Sequence, residues 1–264
     1  MTISPVTFVI AVNNREVFDR NFLASPCLRQ AAADHQILAQ ANFTSAAMAY
    51  NDAIDRAKND LIVFCHQDIL LPQFWLAQLE RALSQLEERD PNWGVLGSYG
   101  KTGDGRGWGH VYSSGRDVIG EPLQLPVEIQ TLDEIVLILR KSSGLRFDDS
   151  LPHFHLYGTD ICLRASRMGM KSYAVSTFCL HNTHQTLVLP KEFYHCCGHI
   201  KRVWKECLPI QTTCIRITRL NLPLYSRRLK EFYLRHIRRK EFGGTRVLDP
   251  MPLLNEIGAG WRNL

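Results

Sequence analysis

The sequence predicts an α/β fold, a mixed and mainly parallel sheet flanked by helices, with a helical basic extension at the C-terminus. Three observations predict it. Val6 to Val12 (VTFVIAV) and Leu61 to Cys65 (LIVFC) are continuous apolar runs, the mark of strands buried on both faces. Between them Ala46, Ala49, Tyr50, Ala53, Ile54 and Ala57 recur at helical spacing behind Ser45, a residue type that caps helices. A second helical pattern (Phe74, Trp75, Leu79, Leu83, Leu86) follows Pro72 and gives way to a strand-like run from Trp93 to Tyr99. Strand–helix–strand repetition of this kind builds a sheet covered by helices.

The remaining elements follow in order. Ile37-Leu38-Ala39 is a short second strand. Gly100 to Gly120 holds seven glycines but does not join a strand to a helix, so it reads as a mobile loop near a site and not as a dinucleotide fingerprint. Glu134 to Arg140 is a strand, Tyr157 to Asp160 opens a helix, and Ser172 to Leu180 is the last clear strand, ending at His181. Phe193, Cys197, Ile200, Val203 and Trp204 have helical spacing, and Leu224 to Arg239 is a basic amphipathic stretch. The expected division is a main domain over 1–210 and a basic, partly helical extension over 211–264.

Composition bounds the class. With 264 residues, 45% hydrophobic and 22% charged, the chain can bury a substantial core. No run approaches the roughly 20 apolar residues of a membrane span, and Met1 to Pro5 has no signal-peptide pattern; a cytoplasmic protein is expected. Eight cysteines without a Cys-x-x-Cys pair suggest buried thiols, although His195 and His199 flank the adjacent Cys196-Cys197. The net charge of +5 is concentrated between Arg216 and Arg246, where only Glu231 and Glu241 oppose the basic residues. Such a segment can lean on anionic lipid or phosphate, or present a solvated helix face. No nucleic-acid recognition motif accompanies it, so nucleic acid is not an expected partner.

In parallel sheets, ligands gather at the carboxyl ends of the strands, which places His66-Gln67-Asp68 at the mouth of a cleft. Asp68 offers a hard oxygen for magnesium or manganese. His66 lies two residues earlier on the same face of an extended chain, and its nitrogen suits manganese better than magnesium. Asp160 stands at a helix start, where the dipole favours a carboxylate but where a plain cap is equally at home. His181 follows a strand. Each of these residues, taken singly, has an ordinary structural role open to it.

Four segments together resemble the GT-A superfamily of nucleotide-sugar transferases, in its family 2-like group. Val9-Ile10-Ala11-Val12-Asn13-Asn14-Arg15 resembles the first strand and nucleoside loop. Ala49-Tyr50-Asn51-Asp52-Ala53-Ile54 with Ala57 resembles the "N-x-G-x-x-x-A" helix, with Ala53 in place of the glycine. Ile62 to Ile69 is similar to the strand ending in the "D-x-D" metal motif, in a form that reads His66-Gln67-Asp68. Leu145-Arg146-Phe147-Asp148 with Tyr157 to Ala165 resembles "G-x-F-D…E-D-x-x-L-x-x-R", with Thr159 in place of the first acid.

The resemblance spans roughly residues 6–185 and implies a metal-dependent, inverting glycosyltransferase. It implies Asp68, His181 and His66 as ligands to a divalent ion, and Asp160 as the base for the acceptor hydroxyl. Donor contacts are implied for Val12, Asn14, Gln40, Asn51, His66, Gln67 and Asp68. The implied donor is a UDP-sugar and the acceptor a glycan or lipid-linked group, in bacterial surface polysaccharide or glycoconjugate synthesis. The basic stretch Arg227 to Lys240 would then make any peripheral membrane contact. A catalytically degenerate sugar- or nucleotide-binding module is the alternative. A nucleotidyltransferase ranks behind it, because Asn13-Asn14-Arg15 is not a glycine-rich, lysine-bearing loop.

Overall fold

A computed structural model describes residues 5–30 and 35–258. Seven strands form the central sheet: β1 (Val6–Ala11), β2 (Gln36–Gln40), β3 (Leu61–His66), β4 (Val95–Gly97), β5 (Val127–Ile129), β6 (Val136–Arg140) and β7 (Ser172–Ala174). Their spatial order is β2-β1-β3-β6-β4-β7-β5. β1, β2, β3, β4 and β7 run one way, whereas β6 and β5 run against their neighbours. The sheet is mixed and mainly parallel, as expected.

The apolar runs are explained by helices on both faces. Val9, Ile62, Phe64 and Leu137 pack beneath α2 (Ala46–Arg56), α4 (Tyr157–Arg167) and α5 (Lys191–Val203). The alternate residues Phe8, Ile10, Val63 and Ile138 pack against α1 (Arg15–Arg20) and α3 (Trp75–Arg89). Period-two alternation therefore feeds two cores at once, so neither face of the strand can be polar. Ser45 caps α2 as expected, its side chain accepting from the Met48 N–H, a contact worth ~1 kcal/mol.

Two sequence expectations need correction. Gly100 to Gly120 is not a loop. It contributes to a second sheet, where Tyr99–Lys101, Gly107–Ser113 and Asp117–Glu121 form an antiparallel ribbon. Gly109 shows why glycine is needed there: at φ +123° it lies against the backbone of Ser98 and Tyr99, where no Cβ fits. The glycines serve close strand packing, and their composition alone concealed the ladder. The expected strands 93–99 and 172–180 each divide in two, because the chain crosses from the central sheet to the second sheet. Both crossings meet where buried Ser98 and Thr177 share a hydrogen bond of 2.9 Å.

Near the C-terminus, the hairpin of Ile210–Gln211 and Arg216–Ile217 straddles the boundary expected at 210, and Ile217 is buried in the main core. α6 (Leu222–Phe232) runs into a wide helical turn over Tyr233–Ile237. The chain then returns to the body, where Phe242–Gly244 pairs with Gln185–Thr186 and α7 (Met251–Gly258) buries Leu254. Cys27, Cys65, Cys162, Cys179, Cys196 and Cys197 are free and buried.

Candidate functional site

β3 ends at His66, and two residues later Asp68 enters a short antiparallel pairing in which Ile69 faces His181. This register brings a third ligand-bearing side chain to the end of β3 from more than a hundred residues away. The donor atoms of His66, Asp68 and His181 all lie within 4.8 Å of one another. They form the one metal-capable group of this kind among the described residues, and His195 and His199 are not part of it.

Neighbouring groups set the direction of each ligand. The Tyr157 hydroxyl donates to the Glu134 carbonyl at 3.2 Å and lies 3.0 Å from His66 Nε2. With its own proton committed, the hydroxyl accepts from Nε2–H, leaving Nδ1 as the His66 nitrogen with a free lone pair. His181 Nδ1 lies 3.5 Å from Ser113 Oγ, and its Nε2 faces Asp68 Oδ1 at 3.3 Å. Such outer contacts fix ring orientation at metal sites. Burial, reinforced by the neighbouring His181, lowers the His66 pKa to about 4, so its lone pair is available at neutral pH. Burial alone would raise the Asp68 carboxyl. His181, His66 and Arg246 outweigh it and hold Asp68 well below the usual carboxylate range.

The cluster forms part of the wall of a cavity of about 520 Å³. Tyr99, Lys101, Arg116, Asp133, Glu134, His155, Thr159 and Arg227 complete much of the lining. Glu134 accepts from the Gly158 N–H, and burial together with the charge of Asp133 pushes its carboxyl up to about 8. His155 and Tyr157 flank Leu156, which holds φ +62° without being glycine. Backbone strain of this kind collects where side chains must be held in place.

Several expected site residues do other work. Asp160 is fully buried and turned into the core: Oδ1 accepts from Trp204 Nε1 at 2.7 Å, and Oδ2 from Arg164 Nε at 2.7 Å. The adjacent Thr159, not Asp160, lines the cavity, so the residue expected as base faces the core and not the cluster. Asn51 likewise donates to the Phe147 carbonyl and to Asp149, and accepts from the Phe147 N–H. Its amide holds that loop, with both Nδ2 hydrogens engaged. Gln40 is buried against α2, donating to the Ala49 carbonyl and to Asp52 and accepting from Arg56. Asn14 caps α1, and the Val12 N–H donates to the Gln40 carbonyl. Gln67 accepts from the N–H groups of Asn13 and Asn14, tying that loop to the His66–Asp68 corner.

Tyr157, Glu134 and Arg246 are site residues that the sequence did not single out. Tyr157 stood within a quoted motif without a role. Glu134 was read as the start of a strand. Arg246 reaches Asp68 across 178 residues, at 2.8 Å, and no local pattern signals so long a return.

The chain is 30% identical over 153 residues to the "ATP synthase subunits region ORF 6" protein of Fuscovulum blasticum, a match covering 55% of this chain and 59% of that relative. Among solved structures it is similar to the mannosyltransferase PcManGT from Pyrobaculum calidifontis in complex with GDP-Man and Mn2+. That match has 12% identity and a TM-score of 0.48, over 78% of this chain and 64% of that one. S. aureus TarS 1-349 is similar at 13% identity and a TM-score of 0.43, over 89% of this chain and 73% of that one. Residues 7–196 match the family described as "Glycosyltransferase like family", a span that contains both sheets and the whole His66–Asp68–His181 cluster. The chain belongs to that glycosyltransferase-like family.

Proposed function

We propose that the protein is a nucleotide-sugar-dependent glycosyltransferase that holds its donor's diphosphate at a divalent ion on Asp68, His66 and His181. The observation that carries this reading is the convergence of those three side chains, two from the end of β3 and one from a strand more than a hundred residues on, in the wall of one cavity. The donor set fits a metal: one ionised carboxylate and two imidazoles suit manganese better than all-oxygen-seeking magnesium. A bound ion supplies positive charge to the diphosphate as the glycosidic bond breaks, which favours the transition state over the ground state.

The chain's own groups do the rest. With Asp160 withdrawn, the cavity-facing acids near the cluster are Asp133 and Glu134. Glu134 takes the proton from the acceptor hydroxyl, and its raised pKa makes it an effective base once ionised. Attack from the face opposite the leaving diphosphate gives inversion. A UDP-sugar donor and a glycan or lipid-linked acceptor of bacterial surface polysaccharide complete the reading.

Incubation with a panel of sugar nucleotides, with and without manganese, tests it through release of free nucleoside diphosphate. Manganese-dependent release that rises with added acceptor is expected. Binding without turnover across a broad acceptor panel would favour a silent nucleotide-binding module, and no binding of any donor would end the transferase reading.

The exposed face of the C-terminal helices supports docking on an anionic membrane. Leu222, Tyr225, Leu229 and Phe232 follow one another at spacings of three and four on α6 and are 58–71% exposed, and Ile237 continues the row at 65%. Arg228, Lys230, Arg235 and Arg238 are interspersed with them along the same segment. An apolar stripe bordered by basic residues inserts at a lipid interface and is drawn there by acidic headgroups. Among the described residues no helix is long and apolar enough to cross a membrane. Flotation with phosphatidylglycerol vesicles should carry the protein, phosphatidylcholine vesicles should not, and Leu229→Asp should abolish the difference. A dimer in solution that Leu229→Asp dissolves, with no vesicle binding, would assign the face to a second copy instead.

A further inference from the structure

The chain comes back to the metal cluster through residues 241–254. The Leu187 N–H donates to the Glu241 carbonyl at 2.7 Å, and Phe242–Gly244 then pairs with Gln185–Thr186. Gly244 crosses directly over Gly115, and a Cβ on either glycine would meet the other's backbone. Beyond the crossing, Asn182 clasps Val247 from both sides. Its Oδ1 accepts from the Val247 N–H, and its Nδ2 donates to the Val247 carbonyl, each at 2.9 Å. Further on, Leu254 is buried against Leu70, Phe178 and Leu180. The segment is a strap anchored on both sides of one residue, Arg246.

Arg246 Nη2 donates to Asp68 Oδ2 at 2.8 Å, and its Nε donates to the Asn182 carbonyl at 2.9 Å. Asn182 is itself wholly buried, and its backbone N–H donates to the Asp68 carbonyl. One residue thus fixes both the strap and the backbone of the metal-binding carboxylate. The guanidinium occupies the carboxylate oxygen that His181 does not face. A cation entering the cluster must share Asp68 with Arg246 or displace it.

We infer that Arg246 is a diphosphate-binding residue delivered by this strap, a role that rests on the glycosyltransferase reading and specifies its donor site. Without metal, Arg246 neutralises Asp68. Once an ion takes the carboxylate, two positive groups stand side by side, and an anion between them relieves the repulsion. A diphosphate meets that need: its oxygens bind the ion, and the planar guanidinium fork matches them bidentately. Metal and nucleotide therefore bind cooperatively, because each is poorly accommodated without the other.

Titration calorimetry on the full chain tests this with manganese alone, and with UDP or GDP at saturating manganese. Arg246→Gln is expected to bind manganese alone as tightly as the wild type or more tightly, since a competing cation is gone. It should bind the nucleoside diphosphate ~10–100-fold more weakly, the range for a lost charge-assisted contact. Arg246→Lys should recover part of the loss. Gly244→Val, which dislodges the strap while keeping the guanidinium, should lose nucleotide affinity in the same way, with circular dichroism confirming that all three variants fold. If folded Arg246→Gln binds nucleotide as well as the wild type, or binds manganese alone more weakly, Arg246 merely ties down the tail and the inference fails. Failure of the glycosyltransferase reading itself looks different, because the wild type would then bind neither nucleotide.

Discussion

The carboxyl end of β3 and the amino end of α4 each carry a buried aspartate paired with an arginine. Asp68 meets Arg246 at 2.8 Å and Asp160 meets Arg164 at 2.7 Å. By burial and pairing the two sites look alike, yet their electrostatics run in opposite directions. At Asp68, two histidines and the arginine overcome desolvation and keep the carboxyl strongly acidic. At Asp160, desolvation prevails over Trp204 and Arg164, and the carboxyl is raised. The difference lies in where the partners come from. Asp68 is met by His66 beside it and by His181 and Arg246 from two distant segments, and it still lines the cavity, whereas Asp160 spends both oxygens on its own helix and on Trp204. A buried charge surrounded from afar and left open on one side is a site; one closed off locally is part of the core.

The largest expected effect tests whether catalysis has moved to the cavity side of that pair. Glu134→Gln should reduce transfer by ~10²–10⁴-fold, the usual cost of removing a positioned base. In the wild type the rate should climb as pH rises through about 8, where Glu134 ionises, and the variant should lose that rise. Stability should show the opposite sign. Because the folded pKa lies above the ordinary value of 4.5, the stabilisation present at low pH is lost as pH rises through about 8. Glu134→Gln should therefore melt close to the wild type near pH 4 and above it near pH 9. A rate profile without an inflection near pH 8 would remove Glu134 from the reaction.

A smaller effect separates motif residues that build the site from those that touch substrate. Asn51→Ala leaves both the Phe147 N–H and the Phe147 carbonyl without their buried partner. The expected cost is about 2–3 kcal/mol in stability, read from denaturant midpoints. Nucleotide affinity of the folded fraction should be unchanged. A variant that keeps its midpoint but loses nucleotide would make Asn51 a donor contact after all.

The same comparison shows what was legible in the sequence. The central sheet was readable because β1 and β3 bury both faces and announce it as apolar runs, and α2 was readable because Ser45 and a helical stripe mark it. His66, Asp68 and His181, which the structure gathers into one metal-capable cluster, could be singled out because each sits at or beside a strand end. The glycine-rich ribbon was not: its partner strands are tertiary neighbours, and glycine carries no face to alternate. Asp160 and Asn51 were found as motif positions, but the direction of their side chains depends on Trp204 and Phe147, which a linear pattern does not place. Arg246 was the least visible of all, since only the folded strap brings it to Asp68.

The smallest expected effect on transfer belongs to Asp160→Asn, and it discriminates most sharply between the two regions. Asparagine keeps an acceptor for Trp204 Nε1 but turns an N–H toward Arg164 Nε, so the ion pair is lost. Arg164 retains Asp148 at 2.7 Å, and the neutral amide escapes the desolvation that raises the Asp160 pKa. The net cost should be about 1 kcal/mol. It should shrink as pH rises, because the wild type itself loses stability as pH passes through the elevated pKa of this carboxyl. Transfer by the folded fraction should stay within a few-fold of the wild type, since no atom of the cavity wall is removed. A variant with an unaltered melt but a loss approaching that of Glu134→Gln would return the base to the amino end of α4. Asp160 would then have to leave Trp204 and Arg164 during turnover, and replacing Trp204 with phenylalanine should in that case speed the reaction by freeing the carboxylate.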